Sequence, residues 1–425
     1  MHQPAIAPSL RTAIAEFLPD VVEFRRDLHR HPELMFEESR TADRVCEQLE
    51  ALGIPFVRGL APESPSQPGT GIAAYLQATV DDPSKAATIG LRADMDALPI
   101  TESTGLPYSS TRQGVMHACG HDGHTATLLG VARALAGVEH RPNNIVFCFQ
   151  PAEEGGAGGE KMCADGAIDG TALQREHGIG TRVDMMFGLH GWPELELGKV
   201  ATRTGPLLAA TDEFEVTVRG RGGHAAQPER SIDPVVVAAH IVTALQTIAS
   251  RRTEPNDAVV VTVGAIHAGE AHNVIPDTAH LRGTIRTLLP ETRTMAETEF
   301  RRIVHGIASS FDAGAEVEWH SGYPVTFNDP VATDHFRSVA RTVLGDRADT
   351  LLVEKDKPTM GGEDFSYYGH HCPACFFLLG LRPESMDSYP NVHTPKFDFN
   401  DDAIALGIEL FCALALSDSP TLTSP

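Results

Sequence analysis

Three short apolar runs constrain the fold of this 425-residue chain more strongly than any other part of its sequence. They span residues 88–91, 145–149 and 185–189, and within each run the apolar residues are nearly continuous rather than alternating. A strand that is apolar on both faces must be covered on both sides, which is typical of a mostly parallel sheet surrounded by helices. The runs therefore predict an α/β fold.

Each run leads directly into side chains that carry charge or bind metals. Arg92-Ala-Asp-Met-Asp96 follows the first run, Glu153 and Glu154 follow the second, and His190 follows the third. In open α/β sheets, ligand sites lie beyond the carboxyl ends of the strands. The three runs therefore predict one common site at this edge of the sheet.

Residues 116–124 supply further donors in the sequence Met-His-Ala-Cys-Gly-His-Asp-Gly-His. Cys119 and His121 are separated by a glycine, which lets both side chains turn toward one point. One tetrahedral ion with an open position needs fewer than five donors, so two ions that share a bridging thiolate or carboxylate fit better. The predicted cofactors are two divalent ions, Mn²⁺ or Zn²⁺. The predicted metal ligands are Cys119, His121, Glu154, His190 and His393.

The adjacent residues Glu153 and Glu154 are expected to have different roles. On an extended segment the side chains of Glu153 and Glu154 cannot point the same way, so one can bind metal while its neighbour acts on the water. A cysteine–histidine pair could alternatively indicate a thiol nucleophile. His117 and His124 are expected to pack or to support the ligands rather than to bind metal.

The middle of the chain predicts a separate domain. Apolar and polar residues alternate at 214–219 and 316–319, which indicates a sheet with one face exposed to water. The element order β-α-β-β-α-β is that of a ferredoxin-like α+β unit. We expect this unit at 204–320, inserted between two parts of a catalytic domain at 1–203 and 321–425. The elements are predicted at 214–219, 234–251, 258–266, 279–288, 291–311 and 315–320.

Composition excludes several partners. The net charge of −23 argues against binding nucleic acid or an anionic membrane, because phosphates would be repelled. No apolar run is long enough to cross a bilayer, the nearest being 410–416. No secretory signal is visible, and seven widely spaced cysteines suit a reducing compartment. We therefore expect a cytoplasmic protein.

Several motifs in the right order carry a family resemblance. The chain resembles the M20 family of metallopeptidases, in the amidohydrolase subgroup that includes hippurate hydrolases and auxin-conjugate amidohydrolases. The match runs nearly from end to end. The matching motifs are HRHPE at 29–33, RADMDALP at 92–99, CGHDGH at 119–124, QPAEE at 150–154, GGHAA at 222–226, HNVIP at 272–276, GEDF at 362–365 and NVHTP at 391–395.

The resemblance implies a metal-binding catalytic domain with an inserted lid or dimerisation domain. It implies the same five metal ligands, with Cys119 as the bridge and Glu153 as the general base. Asp96 would steady the metal site. Asp94 stands where many members of the family carry a histidine ligand, and Cys119 is the added ligand that accompanies this change.

The resemblance also assigns residues of the lid. His224 would polarise the scissile carbonyl, sometimes from the partner subunit, although it could equally be a strand-end turn residue. Asn273 and Arg286 would bind the substrate carboxylate, although Arg286 could equally be a solvated strand residue. The chain departs from the family at Gln227-Pro228-Glu229 and in about a dozen extra residues around 170–182. We expect that this insertion forms a loop near the pocket, so the substrate specificity stays undetermined by the sequence.

The function implied is hydrolysis of the amide bond of N-acyl amino acids, including hippurate-like and other acyl or aryl conjugates, to a carboxylic acid and a free amino acid. The expected partner is this small substrate, and a homodimer is expected. A dipeptidase or other deacylase of the same metal class is an alternative, as is a catalytically silent metal-binding homologue.

Overall fold

The computed structural model describes residues 7–418 and divides the chain into two compact units. The first unit comprises the chain up to Leu207, Phe327–Asp356 and the chain from Asp364 onward. The second comprises Leu208–Thr326 and Lys357–Glu363. The outermost parts of the predicted catalytic domain, residues 1–6 and 419–425, lie outside the described residues.

The strands and helices are numbered along the chain. The strands are β1 Phe56–Leu60, β2 Gly71–Leu76, β3 Thr88–Asp94, β4 Asn144–Gln150, β5 Met185–Glu196, β6 Val200–Thr202, β7 Gly205–Leu208, β8 Ala210–Arg219, β9 Gly223–His224, β10 Val259–Ala268, β11 Val274–Ile275, β12 Thr278–Thr287, β13 Gly314–Ser321, β14 Thr326–Asn328, β15 Leu352–Glu354 and β16 Ala374–Arg382. The α-helices are α1 Pro8–Arg30, α2 Ser39–Ala51, α3 His121–Ala136, α4 Gly158–Ala164, α5 Thr171–His177, α6 Pro234–Thr247, α7 Pro290–Ser310, α8 Pro330–Leu344, α9 Ala348–Leu351 and α10 Ile404–Leu416.

The first unit is built on an eight-stranded sheet in the order β1-β2-β4-β3-β5-β16-β6-β15. Its four central strands, β4, β3, β5 and β16, are parallel to one another, whereas β2 and β6 pair antiparallel with β4 and β16 on either side. Every residue of β3 and β4 is buried, which explains why their apolar residues are continuous. Each large apolar side chain buried here, such as Phe147 or Phe187, contributes roughly 1.5–3 kcal/mol. The predicted mostly parallel sheet is confirmed.

The three apolar runs lie in β3, β4 and β5, and their ends are aligned. Asp94 pairs with Gln150 at the carboxyl ends of β3 and β4, and Arg92 pairs with Gly188 of β5. Parallel pairing in this register places Asp94, the 150–154 segment and His190 at the same edge of the sheet.

The second unit contains a four-stranded antiparallel sheet in the order β10-β12-β8-β13. Helices α6 and α7 pack on it, around a core that includes Phe214, Ile241, Leu281 and Phe300. The six elements follow the predicted β-α-β-β-α-β order and end within about four residues of the predicted positions. The segment Lys357–Glu363 also belongs to this unit, although it was predicted to lie in the catalytic domain.

One helical stretch of the described residues, Pro234–Arg252, is long and apolar enough to cross a membrane. No run of this kind was predicted from the sequence. Length and composition do not distinguish a membrane helix from a helix that packs on a sheet. In this stretch Val237, Ile241 and Leu245 are buried in the core of the second unit.

The expectation that residues 170–182 form a loop near the pocket is wrong. Gly170 and Gly178, both with positive φ, bound helix α5, and its Leu173 is buried. Helix α5 packs against the edge strands β1 and β2. Thr181 contacts Thr88, the first residue of β3, whereas the predicted site lies beyond the last residue of that strand.

Candidate metal centre

The five predicted ligands form two adjacent groups of donors. One ligand atom each from Cys119, His121 and His190 lie within 4.8 Å of one another, and so do those of Cys119, Glu154 and His393. The Cys119 sulfur belongs to both groups. Two divalent cations would find donors of suitable type in these two groups.

The local backbone directs the donors toward this point. Gly120, with φ of +92°, caps helix α3, so Cys119 precedes the helix and His121 begins it. A Cβ on Gly120 would lie 3.0 Å from the Phe399 ring, so both the backbone conformation and the packing favour glycine. His393 has a positive φ of 60°, and its N–H donates to the carbonyl of Ala118 at 2.7 Å.

Two of the imidazoles are oriented through the nitrogen that faces away from the donors. His121 Nδ1 lies 3.1 Å from Asp96 Oδ1, and its buried Nε2 has no hydrogen-bond partner among residues 7–418. His190 Nδ1 lies 2.8 Å from the carbonyl oxygen of Gly191, and its Nε2 lies 3.3 Å from Cys119 Sγ. Fixing Nδ1 in this way leaves Nε2 available to a metal.

The electrostatics of the centre fit bound cations. Burial, together with the carboxylates of Glu154 and Glu153, raises the pKa of the Cys119 thiol well above its usual range. Burial would lower the pKa of His121, but Asp94 and Asp96 outweigh it and raise that pKa to about 10. A bound cation would balance the negative charge of the carboxylates around this buried thiol. Binding of the cation would also remove the proton from the thiol. The buried His121 Nε2, which has no hydrogen-bond partner among the described residues, lies 3.7 Å from Asp94 Oδ2.

The backbone turns sharply on both sides of Glu153 and Glu154. Ala152 has a φ of +55° and Gly155 a φ of +102°. The N–H of Glu154 donates to Asp96 Oδ2 at 2.9 Å, and its Oε1 lies 3.1 Å from His393 Nε2. Glu153 is buried, and its carboxylate lies within 4.8 Å of ligand atoms of His121 and Glu154. A carboxylate here is within reach of a water held by those ligands.

Asp94 and His124 contact each other next to the predicted ligand His121. His124 Nδ1 lies 2.6 Å from Asp94 Oδ1, and His124 Nε2 accepts a hydrogen bond from the N–H of Gly191 at 2.9 Å. Both ring nitrogens of His124 therefore have hydrogen-bond partners within the protein. His124 thereby links Asp94 to the residue that follows His190.

The second unit holds the remaining candidates in two places. His224 is exposed on β9 and pairs with Val274 of β11, next to Asn273, whose carbonyl accepts the N–H of Ala225 at 3.1 Å. Arg286 lies instead near the end of β12, where it pairs with Thr211. The structure thus brings His224 and Asn273 together and places Arg286 elsewhere in the unit. Burial lowers the pKa of Arg286, despite the nearby carboxylates of Glu213 and Asp212.

Comparison with known proteins places this geometry in a family. Residues 90–417 match the model of the peptidase family M20/M25/M40. The chain belongs to this family. It is 39% identical over 385 residues to an N-acetyl-L-cysteine deacetylase of Bacillus subtilis, covering 90% of this chain and 84% of the relative. It is 37% identical over 420 residues to the IAA-amino acid hydrolase ILR1-like 2 of Arabidopsis thaliana, covering 96% and 88%.

Among solved structures, the chain matches the Bacillus subtilis YXEP protein, which is described as a dinuclear metal-binding peptidase of the M20 family. The TM-score is 0.76 at 32% identity, over 95% of this chain and 98% of that one. These matches confirm the predicted M20 family, its amidohydrolase subgroup and its two-part α/β fold. The chain is a hydrolase of this family.

Several buried residues next to the M20 centre had no role predicted from the sequence. Arg92 was read only as part of a motif, and Glu38, Gln150 and Asp364 received no function. The only available signal was the position of these residues within or beside the quoted motifs. Their contacts join segments up to 272 residues apart, which local patterns do not specify.

Proposed function

We propose that this M20 hydrolase is a metal-dependent amidohydrolase that cleaves the amide bond of N-acyl amino acids. The products would be a carboxylic acid and a free amino acid. The observation that carries the proposal is the pair of donor groups sharing Cys119, with the Glu153 carboxylate beside them. The names of two relatives contain N-acetyl-L-cysteine and an IAA–amino acid. Both compounds are N-acyl amino acids, which supports this substrate class.

The chain would hold two divalent ions, Mn²⁺ or Zn²⁺, through five ligands. Bound there, the ions would lower the pKa of a coordinated water and polarise the substrate carbonyl. Asp96 keeps His121 in the orientation that leaves Nε2 facing the donors. The ligands are Cys119, His121, Glu154, His190 and His393.

Glu153 is the proposed general base. Its carboxylate takes a proton from the attacking water as the water oxygen bonds to the carbonyl carbon. It then gives that proton to the amide nitrogen as the C–N bond breaks, which releases a neutral amine. We assign polarisation of the carbonyl to His224, and binding of the substrate carboxylate to Asn273 and Arg286, as the family resemblance implies.

We further propose that the protein acts in the cytoplasm as a homodimer, without nucleic acid or membrane partners. The net charge of −23 supports the absence of polyanionic partners. Val260 and Ile266 are exposed on the edge strand β10, which supports pairing with a second copy. Light scattering at micromolar concentration should give twice the 45.7 kDa chain mass. A mass of one chain contradicts the dimer.

The activity is tested by measuring amine release from N-acetyl, N-benzoyl and N-succinyl amino acids, with dipeptides in the same panel. We expect release from acyl amino acids that chelator abolishes and that Mn²⁺ or Zn²⁺ restores. Release from dipeptides alone would instead support a dipeptidase. No release from any of these amides, with two ions bound, contradicts the proposal.

A further inference from the structure

The segment that carries Glu153 and Glu154 is held by three buried carboxylates. Glu38, Asp96 and Asp364 are each 0–1% exposed. Burying a carboxylate costs free energy unless its oxygens are paired. Three buried carboxylates around one short segment therefore require hydrogen bonds that constrain the backbone of that segment. Each accepts a backbone N–H of the segment: Ala152 donates to Glu38 at 2.9 Å, Glu154 to Asp96 at 2.9 Å, and Gly159 to Asp364 at 2.8 Å.

The backbone of this segment is strained. Ala152 and Ala157 both lie in the left-handed region, with φ of +55° and +53°. A left-handed conformation costs a residue with a Cβ roughly 1 kcal/mol or more, and it persists only where the surroundings impose it. The contacts around the loop therefore determine where the Glu153 carboxylate points.

Asp364 also contacts Glu153 itself. Its backbone N–H donates directly to Glu153 Oε1 at 3.3 Å. Its own carboxylate is held by Gln150, whose Nε2 donates to both oxygens at 2.8 Å. Asp364 therefore holds one oxygen of the Glu153 carboxylate in place.

Arg92 holds Asp364 in place. The fully buried guanidinium donates from Nη2 to Asp364 Oδ1 at 2.8 Å and from Nη1 to Asp94 Oδ2 at 2.7 Å. Its Nε donates to Gln150 Oε1 at 2.9 Å. The planar fork of arginine fixes direction as well as distance, which an ammonium group does not. Through Asp94 the network continues to His124 and the strand that carries His190.

We propose that Asp364 and Arg92 are positioning residues for amide hydrolysis and that they act through Glu153. Arg92 orients Asp364, and the Asp364 N–H orients the general base. This inference rests on the proposed function, because it requires Glu153 to be the base. It gives a role to two motifs, Arg92-Ala-Asp94 and Gly362-Glu-Asp364, that the metal ligands leave unexplained.

The test compares Asp364→Asn and Arg92→Lys in the wild type and in a Glu153→Gln background. In the wild-type background we expect kcat to fall about 10- to 100-fold, with KM and metal content unchanged, because a small misplacement of the base costs this much. Arg92→Lys should fall less, since it keeps the charge but loses the fork. In the Glu153→Gln background neither substitution should lower the residual rate further.

A purely structural role would give a different result. The proposal is overturned if the loss is as large in the Glu153→Gln background, or if only KM or metal content changes. Asp27→Asn is the matched control, because Asp27 also pairs with an arginine, Arg40 at 2.9 Å, but lies outside the network. Its kcat should stay within about twofold of the wild type.

Gly159→Ala provides a second route if Asp364→Asn fails to fold. A Cβ on Gly159 would lie 2.7 Å from the Asp364 carbonyl oxygen and 3.3 Å from its Cγ, so it displaces Asp364 without removing any charge. It should lower kcat in the wild type and have no further effect beside Glu153→Gln. The assay uses whichever amide the wild type hydrolyses, so a wrong acyl group leaves the test valid. An inactive wild type overturns both proposals.

Discussion

At the scale of single residues, buried charged side chains form a series of ion pairs that ends next to a predicted metal ligand. Arg25 is fully buried and binds Asp398 at 2.7 Å and Asp401 at 2.9 Å. Its Nη1 also lies 3.5 Å from Asp122, the residue after the predicted ligand His121. Asp122 in turn lies 2.8 Å from His29 Nδ1. Removing one partner from such a pair costs more than the pair itself contributes, because the other charge stays buried.

His29 makes part of this stability depend on pH. Burial would lower the pKa of His29, but Asp122 and Glu102 outweigh it and raise that pKa to about 9 from 6.5. A raised pKa stabilises the fold fully below the unfolded pKa, and this contribution is lost as pH rises through the folded pKa. The wild type should therefore exceed His29→Gln in free energy of unfolding by up to about 3 kcal/mol at pH 6, and the difference should fall between pH 6.5 and 9.

Denaturant unfolding of both proteins at pH 6, 7.5 and 9.5 measures this difference. His31→Gln is the control, because His31 is partly exposed and lies on the same helix end. A gap between wild type and His29→Gln that stays constant with pH would contradict the interpretation.

At the scale of elements, helix α3 determines how closely the ligand loop approaches the C-terminal segment. Its sixteen residues begin with His121, and almost all of them are buried. A Cβ on Gly123 would lie 2.3 Å from the Phe399 ring, so the helix depends on glycine at this position. Gly306, in helix α7 of the second unit, has nothing within 4 Å of the equivalent position.

Substitutions of these two glycines by alanine should change the free energy of unfolding in opposite directions. Gly123→Ala should lower the free energy of unfolding by about 1–3 kcal/mol, because overpacking outweighs the gain in helix propensity. Gly306→Ala should raise it by about 0.5–1 kcal/mol, because alanine reduces the entropy lost on folding. Thermal or denaturant unfolding checks both signs. Stabilisation by Gly123→Ala would show that the ring can move aside.

At the scale of the whole molecule, the two units should respond differently to loss of metal. The proposed ligands all lie in the first unit, whereas the second has its own apolar core. Each ion, present at one hundred times its Kd, would stabilise the first unit by about 2.7 kcal/mol, so the two ions together would contribute about 5 kcal/mol. Calorimetry with chelator should therefore lower one transition by roughly 10 °C and leave the other unchanged. Glu154→Gln should remove the shift, and a chelator that moves both transitions or neither contradicts this assignment.

The sequence alone determined the type of fold and the chemical types of the site residues. Continuous apolar runs indicate buried parallel strands because both faces are covered, and Cys119, His121 and Glu154 are recognisable as donors from their chemistry. Tertiary structure decided which distant residues support them. Arg92 reaches Asp364 and Glu38 reaches Ala152 only after packing, and the 170–182 insertion lies on edge strands. These contacts depend on sheet register and on strained backbone at Ala152 and His393, and no local pattern encodes either.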